Sequence, residues 1–258
     1  MKKILVISDI QADKHDPKLV KAVQKFSKDW QPDILACVGD ELDATSISKW
    51  VSKTRGEYDG SLQRQIDSTH SIMRGFRDAN PNARFVVQRS NHTTTRFQNY
   101  LNKAPALHSL RSMHYPTLMR YDELDITVNY SPTPIAPGWV MVHGDEGGSS
   151  ISAGGTALGL AKKIGKSVVC GHTHKQGLQH HNSASSGRIN QYLHGFEAGH
   201  LMSMKLADVT SGGYLKFGGA NWQAGFGLLE VSNNRTTLPT PVPIIRNTFI
   251  VSGVEYHA

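Results

Sequence analysis

Two stretches decide the fold: KKILVISD at residues 2–9 and ILACVGD at residues 34–40. Each contains a short, continuously apolar run, Ile4–Ile7 in the first and Ile34–Val38 in the second, which is typical of a strand buried on both faces of its sheet. Between them, Asp16-Pro17 supplies the N-cap and first residue of a helix, and Gln31-Pro32 ends it. This order predicts a β-α-β unit with parallel strands.

Further elements follow by the same signals. The predicted segments are a helix at 61–78, a strand at 84–88, one or two short helices and an irregular segment within 94–130, a proline-rich loop at 131–138, a strand at 139–142, a helix at 156–164 and a strand at 167–170. After residue 175, short apolar runs separated by Gly, Asn and Pro predict a mostly antiparallel second half. Because no repeat or long linker divides the chain, residues 1–258 are predicted to form a single α/β domain.

Composition narrows the class of protein. Hydrophobic residues make up 38% of the 258 residues and charged residues 19%, which excludes a disordered chain. The formal charge of +7 favours anionic partners, but the basic residues are spread along the chain, so an ordinary solvated surface explains them as well as a nucleic-acid patch does. Cys37 and Cys170, each at the end of an apolar run, are predicted to be buried free thiols.

The apolar runs are too short to cross a membrane. The first run ends at Ser8-Asp9, which is too early for the apolar region of a signal peptide. The sequence therefore predicts a cytoplasmic protein without a membrane partner, and it leaves the oligomeric state open.

Polar side chains follow each of the five predicted buried strands. They are Asp9 and Gln11, Asp40, Asn91 and His92, His143, and His172 and His174. In open α/β sheets, ligands bind beyond the carboxyl ends of the strands, so these side chains are predicted to meet at one edge. Each residue alone has an ordinary explanation as a turn former or surface residue. The coincidence of all five strand ends favours a functional site.

The type of donor indicates the kind of ligand. Carboxylate, amide and imidazole groups without thiolate suit Mn²⁺, Fe²⁺ or catalytic Zn²⁺ rather than a structural zinc site. The candidate ligands are too many for one ion, and two ions about 3.5–4 Å apart would use them all. Such a pair can produce a bridging hydroxide near neutral pH and hold the oxygens of a phosphate. The pattern therefore predicts displacement at phosphorus.

The motifs at the strand ends, taken in their order along the chain, resemble those of the calcineurin-like metallophosphoesterases. They are Asp9-x-Gln11, Gly39-Asp40-x-x-Asp43, Asn91-His92, His143-Gly144 and Gly171-His172-x-His174. The resemblance implies a four-layer α/β/β/α sandwich with two mixed sheets. It implies two divalent ions, with Mn²⁺ favoured over Fe, Zn, Mg or Ni.

The resemblance also implies roles for the site residues. Asp9, Gln11 and His174 would hold one ion, and Asn91, His143 and His172 would hold the other. Asp40 would bridge the two ions. His92 would not be a ligand, but would stabilise the transition state or protonate the leaving group.

The sequence departs from the common family pattern at three motifs. Gln11 stands where His is usual, which resembles an Asp-x-Gln branch that includes manganese-dependent pyrophosphatases. Thr93 stands where a carboxylate often follows His92, which removes one group that could orient the imidazole. Asp145 stands in place of the last His of a His-Gly-His motif. None of these changes removes Asp40 or His92, so an active enzyme is expected.

The predicted function is a two-metal phosphodiesterase, nuclease-like or directed at nucleotides. The alternatives are a nucleotide pyrophosphatase, a phosphomonoesterase and a non-catalytic nucleic-acid-binding module on the same fold. Arg89, Arg96 and Lys175 flank the motifs and are candidate phosphate contacts, although a surface role explains either arginine equally well. His180-His181 are predicted to lie in a solvated loop, and Gly147–Gly155 in a loop at the rim of the site.

Overall fold

The predicted β-α-β unit lies at the centre of the first sheet. In the computed structural model, which describes residues 1–49, 51–57, 60–204 and 221–258, β1 (Lys2–Ile7) runs parallel to β2 (Ile34–Cys37). Helix α1 (Pro17–Trp30) connects them. The Asp16 carboxylate caps α1 by accepting hydrogen bonds from the backbone N–H groups of its first turn, as the sequence predicts.

The remaining elements follow in chain order. The helices are α2 (Leu62–Ala79), α3 (Arg96–Leu101), α4 (Tyr115–Leu118) and α5 (Gly155–Ile164). The strands are β3 (Arg84–Gln88), β4 (Ile126–Asn129), β5 (Thr133–Ala136), β6 (Trp139–Met141), β7 (Ser167–Cys170), β8 (Gln176–Ser185), β9 (Arg188–Ala198), β10 (Gly225–Val231), β11 (Thr237–Pro243), β12 (Thr248–Val251) and β13 (Val254–His257). A π-helical turn, Asn91–Thr95, leads into α3.

Both large sheets are mixed. The first has the strand order β11-β10-β1-β2-β3-β4. Strands β1 to β4 are parallel to one another, and β10 is antiparallel to both of its neighbours, β1 and β11. The second has the order β5-β6-β7-β9-β8, with parallel strands in the middle and an antiparallel strand at each edge. Strands β12 and β13 form a separate hairpin.

Alternate residues of β1 show how the layers stack. Leu5 and Ile7 belong to an apolar cluster with residues of α1 and α2, whereas Ile4 and Val6 belong to a second cluster with residues of β7 and β9. Successive side chains of a strand point to opposite faces, so the first sheet lies between the helices and the second sheet.

Helix α5 covers the outer face of the second sheet. Its residues Leu160 and Ala161 form a third cluster with Val140 and Val168 of that sheet. The order of layers is helices, sheet, sheet and helix. This arrangement confirms the predicted four-layer α/β/β/α fold.

Three local predictions were wrong. The proline-rich segment 131–138 contains β5, which is tolerated because β5 is an edge strand where Pro134 needs to donate no ladder hydrogen bond. The segment 94–130 ends in a strand, β4, that joins the first sheet. His180 and His181 lie in β8 and not in a loop.

Cys37 and Cys170 are buried free thiols, as predicted. Among the described residues, none of the helices has the length and hydropathy required to span a bilayer.

Candidate metal centre

The carboxyl ends of five parallel strands carry the motif residues. Asp9 follows β1, Asp40 follows β2 and Asn91 follows β3 in the first sheet. His143 follows β6, and His172 and His174 follow β7 in the second sheet. Contacts between these side chains cross from one sheet to the other, so both sheets build a single site.

The backbone at these strand ends is tightly turned. Gly39 has a φ of 104°, and a Cβ placed there would lie 2.6 Å from Cβ of Ser90 and 2.7 Å from Nδ1 of His143. A residue with a side chain would therefore push the site apart. Asp9 and Asp40 have φ values of 47° and 52°, in the left-handed region that few residues other than glycine adopt. Such conformations concentrate at functional sites.

One group of side chains surrounds Asn91. Its Oδ1 lies 2.7 Å from Nε2 of His143 and 3.1 Å from Nδ1 of His172. Nε2 of His143 also lies 3.3 Å from Oδ2 of Asp40. Ligand atoms of Asp40, His143 and His172 all lie within 4.8 Å of one another, close enough to hold one ion.

His143 is positioned by the strand beside it. Its Nδ1 donates to the carbonyl oxygen of Val38 at 2.8 Å, which leaves Nε2 facing the site. Histidine ligands of metals usually donate their second ring N–H in this way. Burial lowers the pKa of His143, but the carboxylate of Asp40 outweighs burial and raises it to about 10. The site therefore attracts positive charge at this position.

A second group contains Asp9, Gln11 and His174. Nε2 of His174 lies 3.2 Å from Oδ1 of Asp9 and 3.1 Å from the amide nitrogen of Gln11. A half-turn of the amide exchanges its nitrogen and oxygen, so Gln11 can present an oxygen at the same place. Oδ2 of Asp9 accepts from the Ser8 hydroxyl and from the backbone N–H of His172, which joins the two groups.

Two carboxylate oxygens in these groups make no well-oriented hydrogen bond within the described part of the chain, and each faces an imidazole nitrogen at 3.2–3.3 Å. They are Oδ1 of Asp9 and Oδ2 of Asp40, and both aspartates are at least 99% buried. An unpaired buried carboxylate oxygen is costly unless a cation neutralises it. Burial by itself raises the pKa of Asp9 and of Asp40, but the neighbouring histidines outweigh it and hold both pKa values below their usual range. Ionised oxygens next to imidazole nitrogens fit a divalent ion.

His92 lies beside these groups and is held by different partners. Its backbone N–H donates to Oδ1 of Asp40 at 3.2 Å. Its Nδ1 lies 3.2 Å from Oδ1 of Asp43, and its Nε2 accepts from the guanidinium of Arg96 at 3.0 Å. An arginine N–H can only donate, so the ring proton sits on Nδ1, next to Asp43.

Sequence reasoning missed the role of Asp43. The absence of a carboxylate directly after His92 suggested that an orienting group was lost, but Asp43 provides one from the loop after β2. Lys14 holds Asp43 through an ion pair of 2.6 Å, and Thr45 donates a hydrogen bond to it. The signal is present in the Gly39-Asp40-x-x-Asp43 spacing, because its second carboxylate has no place in either ligand set.

The three flanking basic residues have different surroundings. Arg89 pairs with Asp145 at 2.9 Å and with Glu146 at 3.0 Å. Lys175 donates to the carbonyl oxygen of Ser150. Arg96 donates to His92 and to the backbone oxygen of Asp43, so it is the one of the three that contacts a motif side chain.

Comparison with known proteins shows which family the chain belongs to. No protein-family model matches it. It is 36% identical over 256 residues to the Gene 54 protein of Mycobacterium phage D29, covering 98% of this chain and 97% of that protein. It is also 36% identical over 262 residues to the Gene 54 protein of Mycobacterium phage L5, with the same coverage. The chain belongs to the gene 54 protein family.

Solved structures that resemble this gene 54 family member are more distant. They include Vps29 from Cryptosporidium parvum, with 11% identity, a TM-score of 0.44 and coverage of 100% of this chain and 95% of that chain. They also include Vps29 complexed with zinc from Entamoeba histolytica (14% identity, TM-score 0.43, coverage 98% and 95%) and YfcE, a phosphoesterase from E. coli (14% identity, TM-score 0.39, coverage 92% and 98%). The layers and strand-end motifs of the chain itself confirm its resemblance to the calcineurin-like metallophosphoesterases at the level of the fold.

Proposed function

We propose that this gene 54 family member is a metal-dependent phosphoesterase that cleaves phosphodiesters with two divalent ions. The observation that carries the proposal is the pair of buried carboxylate oxygens of Asp9 and Asp40, which make no well-oriented hydrogen bond among the described residues and face the imidazoles of His174 and His143. This arrangement is poorly suited to a structural core, because buried charges need compensation. It suits a site that binds cations.

The proposed ligand sets follow the two groups of side chains. Asp9, Gln11 and His174 would hold one ion. Asn91, His143 and His172 would hold the other, and Asp40 would contact both. Two divalent ions, with Mn²⁺ favoured, would supply Lewis acidity toward the phosphoryl oxygens and lower the pKa of a water molecule.

His92 is the proposed proton donor to the leaving oxygen. Asp43 would keep the Nδ1 proton in place and stabilise the charged imidazole, while Nε2 carries the proton that is transferred. In the structure Nε2 accepts from Arg96, so Arg96 must move before Nε2 can donate. A substrate phosphate is the anion that would draw the guanidinium away, because arginine binds phosphate oxygens in pairs. Arg96 would then position the substrate.

The experiment that tests this function compares a diester with a monoester. Protein loaded with Mn²⁺ is assayed on bis(p-nitrophenyl) phosphate and on p-nitrophenyl phosphate, with and without chelator, beside Asp40→Asn as the matched inactive variant. We expect faster hydrolysis of the diester, loss of activity in chelator and loss of activity in Asp40→Asn. Preference for the monoester would make the protein a phosphomonoesterase. No turnover with Mn²⁺, Mg²⁺ or Zn²⁺ would contradict the proposal and favour the binding module.

The choice of Mn²⁺, the nucleic-acid or nucleotide partner and the cytoplasmic location stay predictions. The Gln11 amide supports a manganese site in one respect, because a neutral oxygen donor suits Mn²⁺ better than it suits zinc. The pyrophosphatase alternative is tested in the same assay by adding a dinucleoside diphosphate as substrate.

A further inference from the structure

A cavity of about 390 Å³ lies next to the helical segment that carries His92. One wall is formed by Thr94, Phe97, Gln98 and Leu101, whose spacing of three, four and seven residues places them on one face of the segment. His108, residues 113–117 and Tyr130 form the other walls. The volume is within the range of small-molecule sites, which is about 300–1,000 Å³.

The cavity lies at the same sheet edge as the candidate metal centre. Tyr130 directly follows β4, which runs parallel to β3, and β3 delivers Asn91 and His92 to that edge. Neighbouring strands are about 4.8 Å apart, so β4 is about 10 Å from β2, the strand that delivers Asp40. This separation between the two strands matches the length of a nucleotide, in which the phosphate and the base lie at opposite ends.

A second contact links the cavity to the centre. Tyr115, which lines the cavity, donates its hydroxyl hydrogen bond to Oε1 of Glu41, the residue after Asp40. Its ring also contacts Phe97, with ring centroids 5.7 Å apart. The wall of the cavity and the loop that carries Asp40 are therefore held together.

The chemistry of the walls indicates what the cavity can bind. Its aromatic residues are Phe97, Tyr115 and Tyr130, and Tyr130 is 58% exposed, so its ring can receive a stacked group. Its polar groups include the amide of Gln98, the hydroxyl of Thr94 and the imidazoles of His108 and His114. Of the residues that the structure describes, no Asp, Glu, Lys or Arg lines it. These walls suit a planar group with hydrogen-bonding edges.

Building on the proposed phosphodiesterase function, we infer that this cavity binds one nucleoside of the substrate. The base would stack against Tyr130 and Phe97, and Gln98 would hydrogen-bond its edge. Stacking on aromatic side chains is tolerant of sequence, so the cavity would select nucleosides as a class. The same chemistry would serve a terminal nucleoside of a nucleic-acid strand or a nucleoside of a small nucleotide.

Binding is tested first, without any turnover. Adenosine and thymidine are titrated against the full chain in chelator, with binding followed by saturation-transfer NMR. Tyr130→Ala should weaken binding about tenfold, which is the scale of one base-stacking contact. Gln98→Ala should weaken it about three- to tenfold, which is the scale of one hydrogen bond. The matched controls are Tyr100→Ala and Asn99→Ala, exposed residues of α3 outside the cavity, which should bind as the wild type does. Absence of nucleoside binding, or equal binding by all five proteins, would overturn the inference.

A kinetic comparison then connects the cavity to the reaction. With Mn²⁺, Tyr130→Ala should raise KM about tenfold for thymidine 5′-(p-nitrophenyl phosphate) and have a smaller effect on methyl p-nitrophenyl phosphate, which has no ring besides its leaving group. An equal effect on both substrates would overturn the inference. A single-stranded oligonucleotide and a dinucleoside diphosphate, assayed in parallel, separate the two sources of the nucleoside. Nucleoside binding in a protein that cleaves no phosphodiester would contradict the proposed function alone.

Discussion

Asp40, like Asp9, has a demanding position for a carboxylate. It is buried, its backbone is left-handed, and one of its oxygens faces His143 without a well-oriented hydrogen bond from the described residues. We expect Asp40→Asn to lower the metal content measured after purification with Mn²⁺, from about two ions per chain to one or none, because a neutral amide cannot compensate two dications. Asp145→Asn is the matched control, since Asp145 pairs with Arg89 outside the two groups. Normal metal content in Asp40→Asn would show that Asp40 is only a turn residue.

The contacts of His92 separate its chemistry from metal binding. Its ring lies closest to Asp43 and Arg96, at 3.2 and 3.0 Å, and its Nε2 is farther from Oδ2 of Asp40, at 3.8 Å, so His92→Ala should keep the metal content of the wild type. We expect kcat to fall about 10²–10⁴-fold for a diester with an alkoxide leaving group, which needs a proton. The loss should be much smaller for an aryl leaving group. Equal losses on both substrates would leave His92 a role in charge stabilisation, and loss of an ion would assign it to the ligand set.

Helix α5 and the second sheet approach each other closely at Gly195 of β9. A Cβ at this position would lie 2.1 Å from the backbone nitrogen of Leu158 in α5. Gly195→Ala should therefore lower the free energy of unfolding by about 1–3 kcal/mol, the usual cost of overpacking, as measured by urea denaturation. Gly159→Ala in α5 is the control, because no described atom beyond its chain neighbours and its own helix backbone lies within 4 Å of the place that its Cβ would take. This change should raise the free energy of unfolding by about 0.5–1 kcal/mol. An unchanged stability in Gly195→Ala would mean that α5 is free to shift.

The elements that the sequence predicted share a strong local signal. Strands β1, β2, β3 and β7 each contain a continuous apolar run, and α1 and α2 have clear caps and an apolar face. Strand β5 could not be predicted this way, because its prolines are typical of a loop. They are acceptable in a strand only because β5 lies at the edge of its sheet. Strand β4 could not be predicted either, because Thr127 and Asn129 interrupt its apolar residues.

The same contrast applies to the site. Ligand candidates could be found because strand ends in one register share an edge, which is a property of topology that the sequence order reveals. The pairing of His92 with Asp43 could not be predicted, because it depends on side chains of two loops meeting in space. The cavity was equally invisible, since its walls come from α3, residues 113–117 and the end of β4.

At the scale of the whole molecule, the centre should act as a clamp between the two sheets. Its residues come from three strands of one sheet and two of the other, so ions would bind the folded chain and not the unfolded one. Free Mn²⁺ at 100 times its dissociation constant should add about 2.7 kcal/mol to the stability. We expect a higher Tm in Mn²⁺ than in chelator by differential scanning calorimetry. Asp40→Asn should show a much smaller difference, and an equal difference in this variant would place the stabilising ions elsewhere.

The pairing of β1 with β10 has a consequence for the synthesis of the protein on the ribosome. Lys2 lies opposite Val231, so one neighbour of a central strand is made 231 − 2 = 229 residues after it. At about 5–20 residues per second, a ribosome needs roughly 10–45 s to travel that distance. Throughout this time the apolar β1 has one unpaired edge that can join other nascent chains. Slow growth or crowded polysomes should therefore favour aggregation of this chain, and early chaperone capture of its first strand should favour folding.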